Sequence, residues 1–176
     1  MKQILRLSLT LLLITAVMAA ALAGVNEITK DQIAAAKAEK TAKAISAVLE
    51  NGASAVEVPY AAEGDTIVTK VYKNENGYAV QVSPSGFAGT IDMMVGIDLE
   101  GKVTGISIIS HTETAGLGAV AAAKNAKGEA FRGQYEGLSG ALAVGDQIDA
   151  ISGATITSKA VTEGVNAALV CVAGLD

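Results

Sequence analysis

A chain of 176 residues has room for one domain and a membrane element. Hydrophobic residues make up 51% of it and aromatics only 3%, so a core has to be built from Ala, Val, Ile and Leu. A formal net charge of -5 with no Trp argues against nucleic acid as a partner, because that role needs basic patches and stacking platforms. The one cysteine, Cys171, rules out an internal disulfide and any cysteine-based zinc or iron–sulfur site. It falls near the apolar face of the last predicted helix, where a free thiol is ordinary core.

In chain order, Lys2 and Arg6 come first, then an uncharged run from Leu7 to Val25. At about 19 residues the run is long enough to span a bilayer core and to contact membrane lipid along its length. A cleaved signal peptide is the rival reading, since Ala21-Leu22-Ala23 fits a small-residue cleavage site. The length of the run, and its passage without a turn into helix-forming sequence, favour a retained anchor. The positive-inside rule then puts the N-terminus in the cytoplasm and everything after Val25 outside, on the outer or periplasmic face of a single-pass inner-membrane protein. Asn26 to Leu49 reads as a helix leaving the membrane, closed by Asn51-Gly52. Its lysines, Lys30, Lys37, Lys40 and Lys43, form a solvated face or touch lipid headgroups. Gly64-Asp65 marks a turn. Three parts are therefore expected: residues 1–25 as cytoplasmic tip and anchor, 26–60 as helical stalk or linker, and 61–176 as the outer domain.

That domain opens on strands. Ile67–Tyr72 and Tyr78–Ser83 alternate around Asn74-Glu75-Asn76-Gly77, predicting a hairpin. Ser83-Pro84-Ser85-Gly86 breaks the pattern. Ile91–Asp98 and Val103–Ser110, both rich in Val and Ile, predict a second hairpin around Leu99-Glu100-Gly101-Lys102. Ala119–Lys127 reads as an alanine-rich helix, Gly128–Gly140 as a glycine-punctuated connection, and Ile148–Ser152 as a short strand.

Two segments carry more than structure. His111-Thr112-Glu113-Thr114-Ala115-Gly116-Leu117-Gly118 follows a predicted strand directly. Gly116 and Gly118 permit close backbone approach to a ligand, or unusual dihedrals, and Thr112, Glu113 and Thr114 supply hydrogen-bonding groups. His111 is the only histidine, so it makes no metal site alone and is expected to hold the loop. Glu113 has no carboxylate partner at fixed spacing, so acid–base hydrolysis is poorly supported and no catalytic or metal residue is assigned. The second segment is Asp149-Ala150-Ile151-Ser152-Gly153-Ala154-Thr155-Ile156-Thr157-Ser158. It precedes a helix over Lys159–Val172 with Val161, Val165, Ala168, Leu169 and Val172 on one face. Hydroxyls before such a run are N-cap material, and free N–H groups with the positive dipole end make an anion site. Lys159 then falls in the first helical turn, where the dipole disfavours a cation and a bound anion would explain it. Position alone does not choose among Ser152, Thr155, Thr157 and Ser158, though Thr157 and Ser158 read as caps.

Asp149 to Thr155 resembles the flavinylation motif of the FMN-binding domain family, in which FMN is joined by a phosphoester bond to the threonine closing a Ser/Thr-Gly-Ala-Thr core. His111 to Gly118 independently resembles that family's His-x-Glu-Thr-Pro-Gly-Leu-Gly segment, with Ala115 in place of the proline. The family includes the G subunit of the Rnf-type ferredoxin:NAD oxidoreductase and the C subunit of the sodium-translocating NADH:quinone oxidoreductase. The compact chain is more similar to the former. The resemblance, from roughly Gly77 to Val172, implies an α+β fold: an antiparallel sheet packed by helices, tethered by one N-terminal transmembrane helix. It implies FMN covalently bound to Thr155, with Ser152, Gly153, Ala154 and Thr157 shaping the turn and Lys159 balancing the phosphate charge. Glu113, Thr114, Gly116, Leu117 and Gly118 would line the ring, and Asp149 would be recognised by the flavin transferase that installs FMN. The implied partners are the other membrane and peripheral subunits of a redox-driven ion pump. A membrane-anchored binding or assembly domain without flavin is the alternative of a different class.

Overall fold

The structure, a computed structural model, describes residues 2–60 and 67–175; the Gly64-Asp65 turn read from sequence lies outside them. The chain divides into two compact units, residues 1–39 and 40–176.

The described residues of the first unit are all helical, within helix α1 (Lys2–Val48). Its large apolar side chains between Leu7 and Val25 are all exposed, with no polar face opposite them. A helix apolar all round is stable only against other apolar matter. Both threonine hydroxyls in this stretch are internally satisfied: Thr10 Oγ1 donates to the Arg6 carbonyl at 2.8 Å and Thr15 Oγ1 to that of Leu11 at 3.0 Å. Among the described residues α1 is the one helix long and apolar enough to cross a membrane.

The second unit is built on a five-stranded antiparallel meander in the order β1-β2-β3-β4-β5. Its strands are β1 (Val56–Val58), β2 (Val68–Asn74), β3 (Gly77–Val82), β4 (Asp92–Asp98) and β5 (Val103–Ser110). Both predicted hairpins form, with registers such as Val71↔Val80 and Val95↔Ile106. The edge strand β1 is additional: Val-Glu-Val is too short to give a periodic signal in sequence. Strand β3 is buried on both faces, because a helix covers each.

On one face lie the last turns of α1, where Ala44, Ile45, Val48 and Leu49 pack on Ala79 and Met94. The Val48 carbonyl accepts from Thr104 Oγ1, and the Glu50 carbonyl accepts from Asn74 Nδ2 at 2.9 Å and Asn76 Nδ2 at 3.1 Å. Sheet side chains thus cap the helix end, and Asn51 turns the chain away in the left-handed conformation at φ 53°. The expected helix to the Asn51-Gly52 stop is present, but its end is part of the folded unit and not of a free stalk.

On the other face lies α3 (Thr155–Ala173), with Val161, Val165, Ala168 and Val172 in the main core beside Val80, Met93 and Val95. Each fully buried valine or leucine there contributes about 1.5–3 kcal/mol. Gly164 brings the helix close: a Cβ there would stand 3.0 Å from both Met93 Cε and Pro84 Cγ. Cys171 is buried, as expected of a core thiol.

Three sequence expectations are corrected. The helix expected over Ala119–Lys127 is instead a 3-10 turn, Gly118–Ala122, followed by α2 (Ala126–Gly133). Asn125 sets the start by accepting from the Gly128 N–H at 3.0 Å, and Phe131 supplies the anchoring contact. The strand expected over Ile148–Ser152 reduces to a single bridge between Val144 and Ile148. Finally, α3 begins at Thr155, four residues earlier than the apolar repeat indicates.

Candidate functional site

The early start of α3 decides the chemistry of the motif. Ala154 is the N-cap residue, without a side-chain cap, so Thr155, Ile156 and Thr157 are the first three helical residues. Their N–H groups lie in the turn that has no intrahelical partner. The expected capping roles of Thr157 and Ser158 are not what the structure shows. Thr157 Oγ1 donates to Glu113 Oε2, while Ser158 Oγ accepts from the Ile151 N–H at 3.0 Å and donates to the Ala154 carbonyl at 3.0 Å. Ser158 therefore staples the turn that precedes the helix. Gly153 sits within that turn at φ 76°, a conformation that favours glycine. Lys159 is the fifth helical residue and exposed, so it escapes the unfavourable first turn and lies one turn from Thr155 on the same face.

Opposite the helix start stands the segment after β5. Glu113 is buried and accepts from the Ala88 N–H at 2.9 Å as well as from Thr157. His111 Nδ1 accepts from the Glu113 N–H at 3.2 Å, the loop-holding position expected of it. Gly118 packs so closely on Glu113 and Thr157 that an added Cβ would overlap both side chains. Gly116 differs: it has open space around it but a φ of 77°, so its requirement is conformational.

These elements enclose a cleft of about 340 Å³ lined by Phe87, Glu113, Thr114, Leu117, Gly118 and residues 153–157. The structure therefore brings Glu113, Thr114, Leu117, Gly118, Gly153, Ala154, Thr155 and Thr157 together. It does not bring Ser152, Gly116 or Asp149 to the same place. Those three line a neighbouring groove of about 610 Å³ with Lys127, Phe131 and Gln134 of the α2 region. There the backbone of Asp149 is held from both ends of one side chain. Its N–H donates to Gln134 Oε1 at 2.7 Å and its carbonyl accepts from Gln134 Nε2 at 3.3 Å. The Asp149 residue itself is exposed.

Sequence reasoning missed Phe87 and Ile156 in the cleft and Gln134 in the groove. Phe87 had one available signal, as one of only two phenylalanines in the chain, set between Gly86 and Gly89. The lining suits a flat, largely apolar ring with an anionic tail. Leu117, Ile156 and Phe87 offer apolar surface, Glu113, Thr114 and Thr157 offer polar groups, and the start of α3 offers N–H donors for a phosphate.

Residues 86–170 match the FMN-binding domain, a stretch that opens at the Phe87 loop and closes within α3. Residues 1–48, which include all of α1, match the RnfG N-terminal region. The G subunit of the Na(+)-translocating ferredoxin:NAD(+) oxidoreductase complex of Acetobacterium woodii is 35% identical over 185 residues, covering 94% of this chain and 89% of the relative. The G subunit of the ion-translocating oxidoreductase complex of Methanosarcina acetivorans is 33% identical over 181 residues, covering 96% of this chain and 94% of the relative. The G subunit of the proton-translocating ferredoxin:NAD(+) oxidoreductase complex of Clostridium ljungdahlii is 43% identical over 99 residues, about half of each chain. With likeness extending over nearly all of two such relatives and an FMN-binding domain laid over the cleft, the chain belongs to the G-subunit family of Rnf-type ion-translocating oxidoreductase complexes, a family of electron-transferring flavoproteins.

Proposed function

We propose that this protein carries electrons through FMN esterified to Thr155, within a membrane complex that couples electron transfer between ferredoxin and NAD to ion translocation. The observation that supports it most is the position of Thr155. Its residue opens α3 on the same cleft to which Glu113, Thr114, Leu117 and Gly118 are drawn from a segment about 40 residues away.

FMN, when bound, supplies the electron chemistry, and the protein supplies attachment, orientation and tuning. Thr155 Oγ would lose its hydrogen and bond to the FMN phosphorus, displacing the group that activates that phosphate in the flavin transferase's FMN donor. The N–H groups at the start of α3 and the helix dipole would hold the phosphate, with Lys159 adding a positive charge one turn along. Ser152, Gly153 and Ala154 form the turn that presents Thr155. Glu113 holds Thr157 and the Ala88 backbone in place, so it fixes the cleft floor while Thr114, Leu117 and Gly118 form its side. Gly116 shapes the loop that carries them. Asp149, held by Gln134, is the residue a flavin transferase reads during maturation. A covalent tether keeps a cofactor at high effective concentration where a dissociated one would be lost outside the cell.

Residues 7–25 form the lipid-spanning anchor, with Lys2 and Arg6 in the cytoplasm and the FMN domain outside. Residues 40–60 contribute a helix end and β1 to the folded unit, which supports reading residues 26–39 of the 26–60 segment as the stalk. The chain is co-expressed with a flavin transferase to test attachment. Thr155→Ala is expected to abolish acid-stable in-gel flavin fluorescence while the protein still inserts, and retained fluorescence would overturn the reading. Protease added outside oriented vesicles should cut the domain; protection would overturn the orientation, and a mature chain starting at Gly24 would overturn the anchor.

A further inference from the structure

The chain holds two phenylalanines, and they have opposite surroundings. Phe131 is buried, edge-on to Tyr135 with ring centroids 5.7 Å apart. Phe87 is 68% exposed. A single exposed apolar residue needs no explanation by itself. Here, however, the loop that carries it is tied down at several points. Ala88 donates its N–H to Glu113 Oε1 at 2.9 Å, and its carbonyl accepts from Thr112 Oγ1 at 3.1 Å. Gly86 N–H donates to the Gly89 carbonyl at 2.8 Å, and Ser85 pairs with Thr90. On the other side of Phe87, a Cβ on Gly86 would stand 2.5 Å from Glu113 Oε1 and 2.9 Å from Ile91 Cδ1.

The Glu113 carboxylate that Thr157 bonds thus also holds Ala88 on one side of Phe87 and lies close against Gly86 on the other. All this order holds a ring that enters no core. The ring instead lines the cleft of Thr155, together with Leu117 at 44% exposure and Ile156 at 54%. Three exposed apolar side chains from three separate segments converge there, and Phe87 is the only aromatic among the lining residues.

We propose that Phe87 is a positioning residue for the flavin, its ring packing against the isoalloxazine of the FMN carried on Thr155. The proposal rests on the reading of Thr155 as the attachment residue. An ester through the phosphate fixes only one end of FMN, so the ring end needs contacts of its own. Aromatic rings pack on one another in offset or edge-on arrangements, and Phe87 is held where it can do so. It covers apolar ring surface and keeps water from that side of it. Leu117 and Ile156 supply aliphatic contact from the loop and from the first turn of α3.

The test uses the full chain, loaded by a flavin transferase, as wild type, Phe87→Ala, Phe87→Leu and Phe87→Trp. Peptide mass measures FMN on Thr155 in each, independently of any ring contact. In loaded protein, an indole in contact with the ring quenches flavin emission by electron transfer, so Phe87→Trp is expected to lower native fluorescence several-fold, with recovery on unfolding. Phe87→Ala is expected to raise the rate of quenching by iodide several-fold, with Phe87→Leu between it and wild type. FMN present on Thr155 with unchanged emission and unchanged iodide access in all variants overturns the proposal and leaves Phe87 as a contact for another subunit. Absence of FMN from wild-type Thr155 overturns both this proposal and the reading it rests on. Should Phe87→Ala fail to fold, the Phe87→Trp and Phe87→Leu variants decide the matter.

Discussion

The turn at Ser152-Gly153-Ala154 separates two surfaces that a continuous motif would lead one to treat as a single binding loop. On the cleft side, Thr155 and Thr157 face a buried carboxylate and an apolar rim. On the groove side, Asp149 and Ser152 are exposed beside Lys127 and Gln134. The cleft is built by long-range hydrogen bonds converging on Glu113, whereas the groove is built by one glutamine gripping a backbone. The difference assigns them different work. On the function proposed above, the first surface would hold the cofactor, and the second would present a segment outward for a modifying enzyme to recognise.

The most damaging way to break the cleft and spare the groove is Gly118→Val. Its side chain overlaps Glu113 and Thr157, so both overpacking and a lost buried hydrogen bond apply, for a destabilisation of about 2–4 kcal/mol. Thermal unfolding of the full chain in detergent, alongside flavin content, measures it. Gly116→Ala sharpens the same contrast, because only its left-handed dihedral is strained, at about 1 kcal/mol.

Tyr135, which follows Gln134 in the chain, ties the end of the α2 region to α3, its hydroxyl sharing a 2.8 Å hydrogen bond with Thr162. Burial pushes the Tyr135 phenol up to about 12, with the Thr162 bond opposing slightly. The neutral phenol is the form the fold accepts. Its contribution is therefore complete below the unfolded value near 10 and is lost as pH rises towards 12, at roughly 1.4 kcal/mol per pH unit. Tyr135→Phe should flatten that alkaline loss of stability, and an unchanged slope would count against the assignment.

The smallest stability effect belongs to the groove. Gln134→Ala removes the two hydrogen bonds to the Asp149 backbone and a long one to the Phe131 carbonyl at 3.5 Å, all at a half-exposed site, so about 1 kcal/mol is expected. Flavin loading should nonetheless slow markedly, while the spectrum of protein that does load stays as in wild type. Equal loading rates, followed by mass during co-expression, would remove the distinction between the two surfaces.

Where signals are local, the sequence is a good guide. The β5 boundaries, the hairpins and the apolar face of α3 follow from alternation and periodicity within a few residues. The helix over Ala119–Lys127 does not form as expected because alanine favours a helix without saying which face is buried, and the Asn125 cap and Phe131 settle it further on. Thr157 and Ser158 resemble caps in sequence because their true partners are out of sight in a linear reading. Glu113 lies 44 residues from Thr157, and Ile151 is reached only once the turn has folded back. Phe87 joins the site through a loop whose anchor, Glu113, is itself 25 residues away from Ala88.

The central claim is that one hydroxyl of the motif carries the flavin. Peptide mass spectrometry on protein co-expressed with a flavin transferase tests it directly. The account predicts one added FMN less a water, localised by fragmentation to Thr155, with Thr157→Ala and Ser158→Ala variants still modified. Localisation to Ser158 or Thr157, or no added mass on any motif peptide, would contradict it.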